Sequence, residues 1–224
     1  MKKPWIQVSI DTQDIPTALT HVEHALAIDA EWIEVGTPLL TFAGVRSIGE
    51  VVSKVGDKTV LVDFKALDGV AQYFQVAGKL GARVATVMAV ANEASIIQAI
   101  RAGHEAGVEV QVDMLGVPTR ELASRASEIA AMGADYFLLH LAIDELMRKP
   151  EADPLEGIDE LVGASDVPVG PVVFSAEKGI EAVRRGAAYL VIGHPLITMP
   201  DARSRLTAFA DAVRQNGAAA GTGR

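Results

Sequence analysis

The feature that most constrains the fold is a regular alternation between short apolar runs rich in Val, Ile and Leu and longer amphipathic segments. The distance from one apolar run to the next is roughly 25 residues, which suits one β-strand followed by one helix. The pattern predicts eight strands, at residues 5–10, 32–35, 59–62, 83–88, 108–112, 135–139, 167–173 and 188–192. Helical patterns lie between them, for example at residues 15–28, 95–106, 119–132 and 201–215.

Eight strands alternating with helices predict an α/β fold, a single (β/α)8 TIM barrel over residues 1–216. The alternative is an open, doubly wound parallel sheet, which usually has about five or six strands and a glycine-rich loop after the first. The first predicted strand is followed instead by Asp11-Thr12-Gln13, so the barrel is favoured. Residues 217–224 have no core-forming pattern, and we predict a flexible C-terminal tail there.

Composition excludes several classes of function. The chain has no cysteine, which rules out a disulfide framework, a thiolate metal site and a cysteine nucleophile. Its net charge of −9 argues against a nucleic-acid partner, because phosphate binding needs a basic surface. No apolar run approaches the roughly 20 residues that span a bilayer, and the apolar stretch after Lys2 and Lys3 breaks at Asp11, too early for a signal peptide. We therefore expect a cytoplasmic protein that acts on a small molecule, without membrane contact.

Ionisable residues recur where the predicted strands end, and the carboxyl ends of barrel strands form the face that carries active sites. Taken singly, an aspartate after a strand is often a helix N-cap, and a lone histidine is often a packing residue. Together, five strands deliver ionisable groups to one rim, where clustered carboxylates require a compensating cation. These groups are Asp11, Glu34, Asp63 with Lys65, Asp113 and His140.

The residue types at this rim suggest a chemistry. Carboxylates without cysteine suit a hard cation, which favours Mg²⁺ over Zn²⁺. Asp63 and Lys65 are two apart on one strand and are expected on the same face. A lysine held among carboxylates stays protonated and acts as a donor to developing negative charge, which leaves His140 as the proton shuttle. A cation, a lysine and a histidine are the groups that stabilise an enediolate.

The same residues carry a resemblance to a known family. Segment 63–68 (Asp-Phe-Lys-Ala-Leu-Asp) is similar to the Asp-x-Lys-x-x-Asp motif of the orotidine 5′-monophosphate decarboxylase superfamily. Segment 33–38 (Ile-Glu-Val-Gly-Thr-Pro) resembles the second-strand motif of 3-hexulose-6-phosphate synthases and 3-keto-L-gulonate-6-phosphate decarboxylases, and segment 140–145 resembles the sixth-strand motif of the synthases. The decarboxylase branch has Arg in place of Ile143 and Glu in place of Asp113, so both positions favour the synthase branch.

The resemblance implies a Mg²⁺-dependent homodimeric lyase with active sites shared between subunits. Glu34 and Asp63 would bind Mg²⁺ together with substrate oxygens, and Lys65 would stabilise the enediolate. His140 would move the proton, and Asp68 would reach into the site of the neighbouring subunit.

The resemblance also assigns the substrate side of the site. Asp11 and Asp113 would hold substrate hydroxyls. A synthase adds formaldehyde to the enediolate of D-ribulose 5-phosphate, and this aldolase reaction is the leading expectation. A decarboxylase reaches a similar enediolate by loss of CO₂ and is the alternative. An epimerase is less favoured, since that family uses several metal-binding histidines and this rim offers one. The complete polar set also disfavours a non-catalytic binding barrel.

The chain departs from the family where a phosphate would bind. Members usually have Gly-Gly after strand seven and Gly-Arg or Gly-Gly after strand eight, and these backbone N–H groups hold phosphate. Here residues 169–177 contain no Gly-Gly, and Gly193 is followed by His194 and by Pro195, which has no N–H. Two expectations follow. Either Ser175, Ala176 and His194, with the retained Gly193, still bind phosphate, or the substrate has a different tail, unphosphorylated or a carboxylate.

Overall fold

Parallel strands form a barrel wall in the computed structural model, which describes residues 4–219. The eight strands are β1 (Trp5–Ile10), β2 (Trp32–Val35), β3 (Thr59–Ala66), β4 (Val84–Met88), β5 (Glu109–Asp113), β6 (Tyr136–Leu139), β7 (Val169–Pro171) and β8 (Tyr189–Ile192). Each strand pairs with its successor from β1 to β7, and β1 also pairs with β8. A parallel bridge between Val172 and Val191 joins the remaining edges. The predicted (β/α)8 barrel is confirmed, because an open doubly wound sheet would leave both edges apart.

Helices connect the strands and cover the outside of the barrel. They are α1 (Ile15–Ala27), α2 (Thr37–Ala43), α3 (Arg46–Val55), α4 (Ala71–Lys79), α5 (Glu93–Glu105), α6 (Leu122–Ala131), α7 (Ile143–Arg148), α8 (Ile158–Gly163), α9 (Ala176–Arg184) and α10 (Ala202–Ala219). Their apolar faces pack against the strands, with Val22, Phe74 and Ile129 fully buried. Within the described part of the chain, no helix combines the length and apolar character needed to cross a membrane.

The C-terminal helix and the third strand extend beyond their predicted ends. Helix α10 continues to Ala219 instead of residue 215, and residues 220–224 of the predicted tail lie outside the described range, so the flexible tail stays a prediction. Strand β3 continues to Ala66, and its pairing with β4 shifts register between Val62 and Ala66. This irregular segment contains Asp63 and Lys65, so the bulge lies at the predicted site.

An aromatic layer closes the amino-terminal end of the barrel interior. Trp5, Trp32, Tyr136 and Tyr189 each stand at the first position of a strand, and ring centroids lie 5.2 Å apart for Trp5–Tyr189 and 4.8 Å apart for Trp32–Tyr136. Gly170 makes room for this layer, because a Cβ at that position would lie 2.2 Å from the Tyr189 ring. The interior is therefore open to ligands at the opposite, carboxyl-terminal end.

Candidate active site

The carboxyl ends of the strands surround a cavity of about 560 Å³. This volume lies within the roughly 300–1,000 Å³ of small-molecule sites. The predicted site residues that line it are Asp11, Glu34, Asp63, Lys65, His140, Gly193 and His194. The structure thus brings together seven of the residues chosen from the sequence, at the end of the barrel where TIM-barrel chemistry takes place.

Glu34, on β2, is buried and held by side chains from β1. Gln7 Nε2 lies 2.6 Å from Glu34 Oε2, and Ser9 Oγ lies 2.8 Å from Glu34 Oε1. Burial, followed by repulsion from Asp63 and Asp11, raises the pKa of Glu34 from 4.5 to about 8. The carboxylates of Asp63 and Asp11 therefore repel a negative charge on Glu34, and a cation among the three would relieve that repulsion.

Asp63 and Lys65 meet through the irregular end of β3. Lys65 Nζ lies 2.8 Å from Asp63 Oδ2, and Lys65 has a left-handed backbone with φ of 45°. Thr37 donates to Asp63 Oδ2 at 2.8 Å, and Thr86 donates to Asp63 Oδ1 at 2.8 Å. Burial lowers the pKa of Lys65, but attraction by Asp63 and Asp113 outweighs it, so the pKa is raised above its usual value. Lys65 is therefore held as a cation beside two carboxylates, with N–H groups that can donate, and its predicted part in catalysis stays a prediction.

Asp113, at the end of β5, is fully buried and links the lysine to the histidine. Its Oδ2 lies 3.3 Å from Lys65 Nζ and 3.0 Å from His140 Nδ1, while Oδ1 accepts from the Leu115 N–H at 2.9 Å. Burial alone would raise the pKa of Asp113, but His140 and Lys65 hold it below its usual value. Asp113 thus remains a carboxylate that orients His140 and Lys65, and it does not itself line the cavity.

Asp11 lies at the end of β1 and does not cap the following helix, which Asp14 caps by accepting from the Thr17 N–H. Its carboxylate accepts from Ser9 Oγ at 3.0 Å. A Cβ at Gly36 would lie 2.1 Å from Asp11 Oδ1, so the glycine of the Glu-x-Gly-Thr-Pro segment leaves space for this side chain. Burial, opposed by the Ser9 hydrogen bond, raises the pKa of Asp11.

Three predicted site residues do not line the cavity of this chain. Asp113 lies behind Lys65 and His140, and its predicted contact with a substrate hydroxyl stays a prediction. Asp68 is exposed in the turn between β3 and α4. Ser175 is exposed and caps α9, where its Oγ accepts from the Lys178 N–H at 3.2 Å. The predicted role of Asp68 in a neighbouring subunit and that of Ser175 at a phosphate stay predictions.

Sequence reasoning missed the neutral side chains that hold the carboxylates. Gln7 and Ser9 share a face of β1 with Asp11, because residues two apart on a strand point the same way. Thr86, on β4, is also buried, and its side chain faces the barrel interior, where it contacts Asp63. The sequence did contain a signal for them, because polar residues alternate with apolar ones in these otherwise apolar strands.

The carboxylates suit a cation that takes few protein ligands. Among the described residues, no group of three or more His, Cys, Asp or Glu side chains is arranged to hold a metal ion. Glu34 and Asp63 are buried, face the same cavity and repel each other. Mg²⁺ binds through one or two carboxylates and completes its shell with water and substrate oxygens, so this donor set fits it.

Comparison with known proteins agrees with the type of site that the geometry of the cavity indicates. The model of the orotidine 5′-phosphate decarboxylase / HUMPS family matches residues 4–209. The chain is 33% identical over 126 residues to 3-hexulose-6-phosphate synthase of Staphylococcus aureus (strain USA300), covering 56% of this chain and 58% of that protein. The alignment thus spans less than two thirds of the length of that relative.

Solved structures match nearly the whole chain. A 3-hexulose-6-phosphate synthase from Salmonella typhimurium aligns with a TM-score of 0.83 and 27% identity, covering 95% of this chain and 99% of that one. KGPDC from Streptococcus mutans, solved with a ligand bound, aligns with a TM-score of 0.84 and 18% identity, covering 96% and 99%, and shares the fold. With the family model matching from β1 into α10, the chain belongs to the orotidine 5′-phosphate decarboxylase / HUMPS family.

Proposed function

We propose that this protein is a Mg²⁺-dependent carbon–carbon lyase that forms an enediolate from a small hydroxyketone, with aldolase chemistry of the 3-hexulose-6-phosphate synthase type. One observation carries the proposal. Asp113 Oδ2 contacts both Lys65 Nζ, at 3.3 Å, and His140 Nδ1, at 3.0 Å. A permanent cation and a proton carrier are therefore fixed side by side at the cavity.

His140 is prepared to move a proton. Its Nδ1 is engaged by Asp113, and this bond assigns the proton of the neutral ring to Nδ1 and leaves the lone pair on Nε2. In the direction of bond formation, a C–H bond beside the substrate carbonyl breaks and its proton passes to Nε2. The electron pair of that bond becomes the carbon–carbon double bond, and the carbonyl oxygen takes the negative charge.

Lys65 donates to the oxygen on which the charge develops. Its raised pKa keeps the ammonium protonated throughout, so its contribution is electrostatic. The electron pair of the enediolate double bond then forms the new bond to the carbonyl carbon of an aldehyde, and the ketone carbonyl re-forms. The π bond of the aldehyde carbonyl opens onto its oxygen, which takes the proton held by His140 Nε2. A cation bound at Glu34 and Asp63 would supply Lewis-acid stabilisation of the same oxygens.

Aldol chemistry is favoured over decarboxylation by the side chain at position 143. Ile143 lines the cavity and is apolar, whereas the decarboxylase branch of the resemblance has arginine there.

The test is hydrogen–deuterium exchange at the carbon next to the carbonyl, monitored by NMR in the presence of Mg²⁺. The substrates are dihydroxyacetone, D-ribulose and D-ribulose 5-phosphate, each with and without formaldehyde. Exchange together with an aldol product supports the proposal, and the absence of exchange with every ketone contradicts it. His140→Gln should lower turnover by roughly 10²–10⁴-fold, as expected for an acid–base group.

We also propose that the protein is a homodimer with shared sites. Phe42 lines the cavity but is 64% exposed, and Leu67, which precedes Asp68, is 51% exposed. Pairing with a second copy would cover this apolar surface and bring Asp68 to the site of the partner subunit. Mixed Lys65→Ala and Asp68→Ala subunits should then regain activity, since one site of each mixed dimer would be intact.

The control mixture combines Lys65→Ala with His140→Ala, because both side chains line the same cavity of one subunit. Every site of that mixed dimer would carry one defect, so no activity should return. Equal behaviour of the two mixtures, with subunit exchange shown by native mass spectrometry, would contradict the shared site.

A further inference from the structure

A line of buried polar side chains crosses the barrel interior from the cavity to the aromatic layer. Its members are Glu34 on β2, Gln7 on β1, Gln111 on β5 and Tyr189 on β8, which contact one another in that order. Glu34 is 6% exposed, and the other three side chains have no exposed surface. Polar groups buried this deeply depend on one another for hydrogen bonds, so the direction of each bond in this polar line matters.

The polar line ends at an acceptor on each side. At the cavity, the ionised Glu34 carboxylate can only accept, and its Oε2 lies 2.6 Å from Gln7 Nε2. At the other end, Tyr189 Oη lies 2.7 Å from the backbone carbonyl oxygen of Phe137 and donates to it, because a carbonyl has no proton to give. A line of hydrogen bonds between two acceptors needs one member that donates in both directions.

Gln111 is the member that donates in both directions. Its Nε2 lies 3.1 Å from Gln7 Oε1 and 2.9 Å from Tyr189 Oη, so its two N–H groups supply both bonds. Its own Oε1 is buried and has no hydrogen-bond partner among the described residues. Turning the amide over would bring this oxygen against Gln7 Oε1 and against Tyr189 Oη, whose proton is already engaged. The unpaired oxygen is therefore the consequence of an orientation that both ends of the polar line impose.

The orientation of Gln111 determines which group Gln7 presents to Glu34. Because Gln7 Oε1 accepts from Gln111, the –NH₂ group of Gln7 faces Glu34 Oε2. Ser9 Oγ donates to the other oxygen, Oε1, at 2.8 Å, so donors from β1 hold both oxygens of the carboxylate. A reversed Gln7 amide would place a carbonyl oxygen against Glu34, which would repel the carboxylate and no longer hold it in place for a cation.

We propose that Gln111 is a positioning residue that acts on Glu34 through the amide of Gln7 and thereby sets the affinity of the cavity for Mg²⁺. This inference rests on the proposed function, because it assumes that Glu34 binds the cation. Gln111 does not line the cavity, so it contacts neither the cation nor the substrate. Its effect passes through hydrogen bonds that require two donors from one uncharged side chain.

The test is the dissociation constant of Mg²⁺ for the metal-free protein, measured by isothermal titration calorimetry with Mg²⁺ alone. Gln111→Met keeps an unbranched side chain but removes both donors, and it should raise this constant by roughly 10–100-fold, as expected when a group that holds a metal ligand is lost. An unchanged constant in folded Gln111→Met would overturn the inference. Absence of Mg²⁺ binding by the wild type would instead refute the metal site of the proposed function, and the inference with it.

Ser47→Ala is the matched control for the loss of a buried hydrogen bond. Ser47, on α3, is fully buried, and its Oγ donates to Gly44 O at 2.7 Å, outside the polar line. This variant should bind Mg²⁺ as the wild type does. A loss equal to that of Gln111→Met would show a general response to a weakened core and would count against the inference.

A double-mutant cycle determines whether the effect of Gln111 passes through Gln7. Gln7→Met should weaken Mg²⁺ binding at least as much as Gln111→Met, because it removes the donor to Glu34 itself. The double variant should bind no more weakly than Gln7→Met alone, since residues that act through one contact are not additive. Two losses that multiply in the double variant would contradict the proposed route.

Tyr189→Phe tests the polar line from its far end, and it removes a single oxygen atom if Gln111→Met does not fold. One N–H of Gln111 then loses its acceptor, so Mg²⁺ binding should weaken, by less than in Gln111→Met. NMR of the metal-free protein labelled with ¹⁵N-glutamine supplies a second readout. Nuclear Overhauser effects from the Gln7 –NH₂ protons to the Glu34 side chain should be present in the wild type and weaker in Tyr189→Phe. Wild-type Mg²⁺ affinity together with unchanged effects in this variant would overturn the inference.

Discussion

Replacing Glu34 by glutamine should stabilise the metal-free protein at alkaline pH while abolishing Mg²⁺-dependent activity. The pKa of Glu34 is raised from 4.5 to about 8. Between these values the folded state keeps a proton that the unfolded chain has released, so this group makes the stability fall as the pH rises through that window. Each pH unit corresponds to about 1.4 kcal/mol, so the ionised carboxylate costs about 5 kcal/mol above pH 8.

Glutamine retains the shape of the side chain without this cost. Its carbonyl can accept from Gln7 Nε2, and its amide can donate to Ser9 Oγ, which leaves the serine hydroxyl to donate to Asp11. The advantage of Glu34→Gln in free energy of unfolding should therefore be near zero at pH 4.5. It should grow by about 1.4 kcal/mol per pH unit and level off near pH 8.

Urea unfolding in EDTA at several pH values between 5 and 9 measures this difference. Glu50→Gln, at an exposed position of α3, is the matched control and should follow the wild type at every pH. Adding Mg²⁺ should stabilise the wild type by mass action and leave Glu34→Gln unaffected. Parallel curves for the wild type and Glu34→Gln in EDTA would refute the assignment of a destabilising buried carboxylate.

Two further predictions concern residues that act behind the cavity. Asp113→Asn removes the charge that holds His140 and Lys65, so kcat in the exchange assay should fall by at least about 100-fold with a smaller change in KM. A rise in KM with an unchanged kcat would refute the orienting role of Asp113. Gly170→Ala introduces a Cβ 2.2 Å from the Tyr189 ring and should cost about 3 kcal/mol in urea unfolding. Gly163→Ala, which meets nothing within 4 Å, is its control, and equal midpoints for the two variants would contradict the packing argument.

The sequence was sufficient to predict which residues share the rim, because strand ends in a barrel converge whatever the details of packing. It could not predict what each carboxylate contacts. Asp113 contacts His140 and Lys65 rather than the cavity because of the relative register of β3, β5 and β6, which depends on pairings between distant segments. Similarly, the apolar residues around Val172 indicated a buried strand. Only the pairing with β6 and β8 shows that the N–H groups of Val172 and Val173 donate to the carbonyls of Leu139 and Val191.

The backbone at Lys65 was also beyond sequence reasoning, since lysine has no preference for the left-handed region. A non-glycine residue there costs about 1–2 kcal/mol, and the bulge in β3 maintains it. Glycine would remove that cost, so Lys65→Gly combines loss of the ammonium with relief of backbone strain. The same change would leave the buried carboxylates of Asp63 and Asp113 without their cation, and an unpaired buried charge costs more than the strain that glycine relieves. The strained backbone at Lys65 is therefore part of how the barrel neutralises its buried carboxylates, and local strain at one residue accompanies a lower electrostatic energy of the whole rim.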